Sequence, residues 1–489
     1  MFRRRGASSV AEPWSLDRPL LHLSKHDRWT VRDACAGTLI FGDTGSGKTT
    51  GSGQSIAAAM LRAGFGGLVL TVKGNETDRW REYAARWGRE SDLIVFSPGE
   101  GHRFNFLEHE RTRTTRGGGN TENIVELLVT AVNACRGGPM VGGQDEYWDK
   151  ALRQILRNAV DALRLADEPL SIDGLRRLIL SAPLSDDQAL DPDWQDRSPL
   201  YQALLTARDR VASDRDLQTL RVTTAYWLDE YAATMDPRTR GNIISTFTTT
   251  VDGFLRGDLH ELFATTTTLT PEATLEGAII VLDLPEKQFH DLGRAAQVVW
   301  KYCWQRAVEE ARRSENDRPV FLWCDEAQYF VTSKDPGFFQ TAREQKACCV
   351  YLTQSRSNYL HALGPGQHAA LDSLLGVPKT KIFHCNGDPD TNAWAEKVIS
   401  DDWMAQTSTS TSLAENGTAK GERDRRSVST HHARTPKIPA AEFGALACGG
   451  PPDGVVEAVL FQSGRRFHES GSNVIRLAFR QSIEKAVRR

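Results

Sequence analysis

Eight residues, Gly42-Asp43-Thr44-Gly45-Ser46-Gly47-Lys48-Thr49, constrain what this chain can fold into more than any other segment of it. They fit GxxxxGK(S/T), and their flanks agree: the apolar run Thr38–Phe41 predicts a strand before them, and the Ala-rich stretch through Ala57–Leu61 predicts a helix after them. A strand, a glycine loop and a helix in that order turn successive backbone N–H groups and a helix N-terminus toward negative charge. Gly42 to Thr49, with Thr50 beyond, are therefore the candidate nucleotide-binding residues. Lys48 is placed to reach the β- and γ-phosphates of ATP and Thr49 to hold Mg²⁺.

A loop of this kind needs a second carboxylate to complete its metal site. Val320-Phe-Leu-Trp-Cys-Asp325-Glu326 supplies one at the end of an apolar strand. Asp325 is expected to hold Mg²⁺ through water, and Glu326 to polarise an attacking water. Either acid alone could equally cap the next helix. Further on, Cys349-Val-Tyr-Leu-Thr353-Gln354-Ser355 ends in a polar group where a neighbouring parallel strand would set it beside the γ-phosphate. Gln354 is the candidate sensor; a satisfied turn amide is the plainer alternative.

Short apolar runs alternate with helical stretches both before residue 107 and from about 276 to 400, the pattern of βαβ units and a parallel sheet. Strands are expected at Thr38–Phe41, Leu68–Val72, Leu93–Phe96, Ala278–Leu282, Val320–Cys324, Cys349–Thr353, Thr380–His384 and Val455–Gln462. Between them, Asn123–Asn133, Tyr147–Leu165, Ile172–Ser181, Pro199–Ser213 and Asp216–Tyr231 carry apolar residues three and four apart and read as helices. The chain thus divides into a first part of an α/β core (1–107), an all-α insertion (108–260) and a second part of the core (261–406). A Ser/Thr-rich flexible loop (407–435) and a closing strand with a basic tail (436–489) follow. Gly137–Gly143 is glycine-rich enough to be a mobile loop, and the run Thr265–Thr268 has no assignable chemistry.

Sixty Lys and Arg nearly balance 63 Asp and Glu, which excludes a uniformly basic nucleic-acid coat and confines any such path to a patch or a pore lining. The eight cysteines show no metal-ligand spacing and read as reduced core residues of a cytoplasmic protein. No apolar run approaches the length of a membrane span, so none is expected in the chain. Trp300 and Trp304, at helical spacing, read as core.

Several segments together resemble the type IV coupling proteins, the TraG/TraD-type ATPases of conjugation, within the wider FtsK/HerA-like translocases. They are Leu68-Val-Leu-Thr-Val-Lys73-Gly74-Asn-Glu76, Ile94-Val-Phe-Ser-Pro98-Gly99 with Arg103-Phe-Asn105-Phe, Tyr147-Trp148-Asp149-Lys150, Asp325-Glu326 with Thr341-Ala-Arg343-Glu, Leu352-Thr-Gln354-Ser, and Ile382-Phe-His-Cys-Asn386-Gly-Asp388-Pro389-Asp390. Their order and spacing match the family across most of the chain. The resemblance departs at the start: coupling proteins commonly begin with transmembrane helices, whereas here the glycine loop opens at residue 42.

The resemblance implies a RecA-like P-loop NTPase core with an inserted all-α domain, working as a hexameric ring with ATP between subunits and a channel for single- or double-stranded DNA. Arg343 would then reach into the neighbouring subunit's site and stabilise charge on the transferring phosphoryl group; an exposed helix arginine in a salt bridge is the plainer alternative. Partners implied are DNA, further copies of the chain, and a relaxase or other secretion-system or mobile-element proteins, with membrane association only through a partner. Two alternatives stand beside the DNA motor: a ring that moves protein substrates, and a slowly hydrolysing nucleotide-dependent scaffold.

Overall fold

The computed structural model describes residues 13–481 apart from 115–116, 137–142, 234, 312, 315, 365 and 413–424. The proposed mobile stretch up to residue 142 and the C-terminal basic tail therefore lie outside the described residues. Among those described, the strands are β1 (Pro19–His22), β2 (Arg28–Thr30), β3 (Thr38–Phe41), β4 (Gly66–Leu70), β5 (Leu93–Phe96), β6 (Ile279–Leu282), β7 (Val320–Cys324), β8 (Ala347–Thr353), β9 (Thr380–Phe383), β10 (Asp401–Ser412), β11 (Arg425–Pro436), β12 (Val455–Gln462) and β13 (Val474–Arg480).

Nine of them form one sheet in the order β13-β12-β9-β3-β8-β7-β4-β6-β5. The seven strands from β9 to β5 run parallel, and β12 and β13 close one edge antiparallel. Strands from before and after the helical segment interleave, with β4 lying between β7 and β6. The RecA-like α/β core is thus a single sheet assembled from two distant stretches of sequence.

Both faces of this sheet are covered, which is why its strands read as continuous apolar runs. Leu39, Phe41, Leu68, Leu70, Leu282, Leu322 and Tyr351 point into one layer. Ile40, Val69, Val281, Phe321, Trp323, Val350 and Ile382 point into the other. Side chains alternate between faces along each strand, so each strand feeds both layers. Trp300 and Trp304 are fully buried, as their spacing suggests.

Between β5 and β6 the chain is helical: Phe106–Thr112, Thr121–Cys135, Gly143–Ala166, Ile172–Leu180, Pro199–Arg210, Asp214–Ala225, Pro237–Val251 and Gly257–Phe263, with shorter turns. Polar side chains close the starts, as where Asn120, Ser171, Ser198, Ser213 and Asp236 accept hydrogen bonds from backbone N–H groups of the first turn. The helix Thr121–Cys135 packs on the long helix Glu286–Glu310, which rests on the sheet. The threonine run has a structural role: Thr268 Oγ1 accepts from Arg103 N at 2.9 Å, Thr267 Oγ1 from Asn105 N at 3.0 Å, and Thr265 O from Asn105 Nδ2 at 2.9 Å. It clasps the point where the chain leaves the sheet for the helices.

The segment 407–435 differs from the flexible loop expected of it. β10 and β11 pair antiparallel from Asp401↔Pro436 to Ser412↔Arg425, and only the tip lies outside the described residues. Threonine is β-branched and suits a strand without burying anything, and the ladder bonds need no apolar face. Ser408 Oγ and Ser429 Oγ meet across the ribbon at 2.8 Å. The cysteines also depart in part from a core assignment: five are buried, Cys135 and Cys385 are intermediate, and Cys448 is exposed. No helix among the described residues is long and apolar enough to cross a membrane.

Candidate nucleotide site

In register, Phe41 pairs with Thr353 and Phe383, and Leu70 pairs with Cys324 and Leu282. The residues that follow these strands therefore emerge along one edge of the sheet, where ligands of open α/β sheets bind. That edge gathers the glycine loop, Lys73, Asp325, Glu326, Gln354 and His384.

The loop Gly42–Lys48 leaves β3 and enters a helix at Thr49. Gly45 (φ 82°) and Gly47 (φ 80°) take the left-handed backbone that only glycine adopts freely. A Cβ at Gly47 would also lie 2.5 Å from the Val456 side chain of β12. Asp43 shapes the loop, since its Oδ2 accepts from Gly387 N at 2.7 Å and its own N–H donates to Cys385 O at 3.0 Å. Thr50 Oγ1 accepts from Gln481 Nε2 at 2.7 Å, so the C-terminal strand pair braces the first helical turn.

Lys48, Asp325 and Glu326 are all buried. Thr49 Oγ1 donates to Asp325 Oδ2 at 3.1 Å, joining residues 276 apart in sequence. Burial holds the Asp325 carboxyl above its ordinary range, opposed by the Lys48 charge and by the Thr49 hydrogen bond. A hydroxyl and a desolvated carboxylate facing each other, together with the partnerless buried hydroxyl of Ser46 inside the loop, fit a divalent cation and the phosphates beside it.

Glu326 sits at φ 52°, ψ 51°, an uncommon backbone for a residue with a Cβ. Burial favours its neutral form, but hydrogen bonding from Gln328 and the charges of Lys48 and Lys73 outweigh this and keep it below its usual value. Lys73 Nζ lies 3.1 Å from Glu326 Oε1, and Gln328 Nε2 lies 3.0 Å from Glu326 Oε2. Thr353 Oγ1 in turn donates to Gln328 Oε1 at 2.9 Å. Glu76, buried behind Lys73, is pushed up to about 7 by burial and by the negative charge of Asp325.

Gln354 lines a cleft of about 800 Å³ together with Thr44, Lys73, Glu326, Gln328 and Tyr329. Its backbone carbonyl accepts from Asn386 Nδ2 at 2.7 Å. Arg343 is not brought to this edge. It follows the helix Asp335–Ala342 and precedes β8, so it is exposed at the opposite end of the strand from Gln354.

Sequence reasoning assigned no role to Lys73, Glu76, Gln328 or His384, although Lys73, Glu76 and His384 fall in segments that carry the coupling-protein resemblance. The usable signal for Lys73 and His384 was their position just beyond strand ends. His384 Nδ1 lies 3.1 Å from Glu457 O, which can only accept, so this nitrogen carries the proton. Nε2 then accepts from Ser52 Oγ at 2.7 Å.

Burial drives the His384 imidazole down to about 4 from 6.5. Below 6.5 the unfolded ring takes up a proton that the folded one refuses. This contribution to stability is intact above 6.5 and is lost as the pH falls toward 4, by up to about 3 kcal/mol. Urea unfolding at a series of pH values from 7.5 to 4.5 is expected to show that loss, and a His384→Gln chain a flatter profile over the same interval.

The chain superposes on solved structures of a conjugative coupling protein. It matches the bacterial conjugative coupling protein TrwBdeltaN70 with a TM-score of 0.60 and 14% identity, over 94% of this chain and 91% of that one. The chain has the fold of a conjugative coupling protein. The plasmid coupling protein TrwB in complex with ADP and Mg²⁺ matches at TM-score 0.58 and 16% identity, over 92% of this chain and 86% of that chain. TrwB bound to a non-hydrolysable ATP analogue matches at 0.57 and 15%, over 93% and 88%. No protein-family profile and no curated protein matches the sequence. The coupling-protein fold therefore rests on geometry, and the glycine loop and paired acids are what this chain itself contributes to a functional reading.

Proposed function

We propose that this chain is a Mg²⁺-dependent ATPase that drives DNA through a hexameric ring of its own copies. The observation that carries the reading is the buried meeting of Thr49 with Asp325, beside Glu326, at the mouth of the glycine loop. Gly42 to Thr50 cradle the phosphates, and Lys48 draws charge from the β- and γ-positions. Thr49 and Asp325 hold Mg²⁺, which supplies electrostatic stabilisation of the phosphoryl group. Glu326 accepts a proton from the attacking water, and Gln354 orients that water from the cleft.

Arg343 completes a neighbouring subunit's site in this reading. Its exposure, far from its own subunit's nucleotide edge, supports a role in trans. The near-neutral overall charge argues against a uniformly basic outer coat and supports a DNA path confined to the lining of the ring channel. The chain works in the cytoplasm and reaches the inner membrane, a relaxase or other transfer proteins through contacts outside the nucleotide site.

ATP turnover measured with and without single- and double-stranded DNA tests this directly. At least one form is expected to stimulate turnover, and negative-stain images with an ATP analogue and DNA are expected to show rings. Active turnover indifferent to every DNA form, with retention of protein substrates instead, would favour a protein-moving ring. Monomers under all conditions would exclude both.

A further inference from the structure

Both oxygens of the proposed general base are engaged in this structure. Gln328 holds Oε2 and is itself anchored to Thr353, while Lys73 holds Oε1. The two contacts differ in kind. The Gln328 link is part-buried and tied to the sheet. The Lys73 side chain is 59% exposed, whereas that of Glu326 is 6% exposed.

An ion pair with one arm in solvent contributes little to stability, so its place in the molecule is what needs explaining. The Lys73 backbone is fixed: Glu76 Oε2 accepts from Val72 N at 2.8 Å and from Lys73 N at 3.4 Å. Beyond that anchored Cα, the ammonium rides on a flexible four-carbon stem. It borders the same cleft as Thr44 of the glycine loop and Gln354. A triphosphate in the loop would present its terminal anion to this cleft, within reach of a lysine that now neutralises Glu326.

We propose that Lys73 is a positioning residue that senses the γ-phosphate: it pairs with Glu326 while the site lacks a triphosphate and transfers to the phosphate when one binds, freeing the base. The inference rests on the nucleotide reading above. It makes triphosphate recognition and release of Glu326 a single event, because one ammonium cannot fully serve both anions. A diphosphate, lacking the terminal group, leaves the pair closed.

The test is a double-mutant cycle read by binding rather than turnover. Dissociation constants for ADPNP and for ADP, each with Mg²⁺, are measured by titration calorimetry on the full chain and on Lys73→Met, Glu326→Gln and the double variant. Competition for Lys73 predicts that Glu326→Gln tightens ADPNP binding about tenfold when Lys73 is present and less than about twofold when it is Met. Lys73→Met alone is expected to weaken ADPNP about tenfold and leave ADP unchanged, with Lys73→Arg restoring most of the preference.

Equal tightening by Glu326→Gln in both backgrounds would mean simple relief of charge repulsion and would overturn the proposal. So would a Lys73→Met chain that still prefers ADPNP to ADP as the unaltered chain does. Failure of the unaltered chain to bind either nucleotide would overturn the nucleotide reading and this inference with it, a result distinct from an additive cycle.

Discussion

Replacing Glu326 with Gln is expected to lower ATP turnover by about two to four orders of magnitude while nucleotide binding persists. The substitution keeps the shape of a side chain that is 6% exposed, and an amide can still meet Lys73 or Gln328. What it removes is the capacity to take a proton from water. Lys48→Ala has a different signature. It deletes the cation buried within the phosphate cradle, so binding and turnover are expected to fall together. Measuring kcat beside the dissociation constant of a non-hydrolysable analogue separates the two. A Glu326→Gln chain with kcat within about tenfold of the original would show that another group accepts the proton.

The parts of this site visible in the sequence are those written locally. Gly45 and Gly47 announce positive φ, and Thr49 and Asp325 sit at fixed offsets from strands whose apolar runs survive because helices cover both sheet faces. Strand ends were readable for the same reason. The pairing of Lys73 with Glu326 was not, since it spans 253 residues and depends on β4 lying beside β7. No local pattern encodes strand order. Gln328 was hidden in a turn that could have faced anywhere.

The ribbon of β10 and β11 escaped because composition reports whether a segment can bury surface, and a two-stranded ladder needs to bury almost none. Trp403 is 65% exposed on it. The helix Pro237–Val251 was missed for a related reason. Its buried apolar positions, Ile243, Phe247 and Val251, recur every fourth residue, but threonines between them mask the period. Arg343 illustrates a different limit. Sequence similarity nominated it by role, and the fold puts it before the start of β8, remote from its own nucleotide edge.

The largest stability effect is expected at Lys301 and Asp335, each with a side chain 1% exposed. Lys301 Nζ donates to both Asp335 oxygens at 2.7 Å and to Phe330 O at 2.6 Å. Asp335 also accepts from Gln305 Nε2 at 2.9 Å, Tyr351 OH at 3.1 Å and Thr332 N at 2.8 Å. The network joins the helix Glu286–Glu310 to β8 and to the turn that descends from Glu326 and Gln328. Asp335→Ala leaves a buried ammonium without its counter-charge, and a loss of about 3 to 5 kcal/mol is expected in urea unfolding. Lys301→Met strands the carboxylate and is expected to cost as much. Lys301→Met with Asp335→Leu removes both charges and is expected to recover most of that loss, because desolvating the pair offsets much of what its attraction supplies. Turnover is expected to separate from stability in the double variant: with Phe330 O and Thr332 N unpaired, the turn carrying Glu326 loses its anchor, so kcat stays low in a chain that folds well. Full recovery of both would confine the network to a packing role.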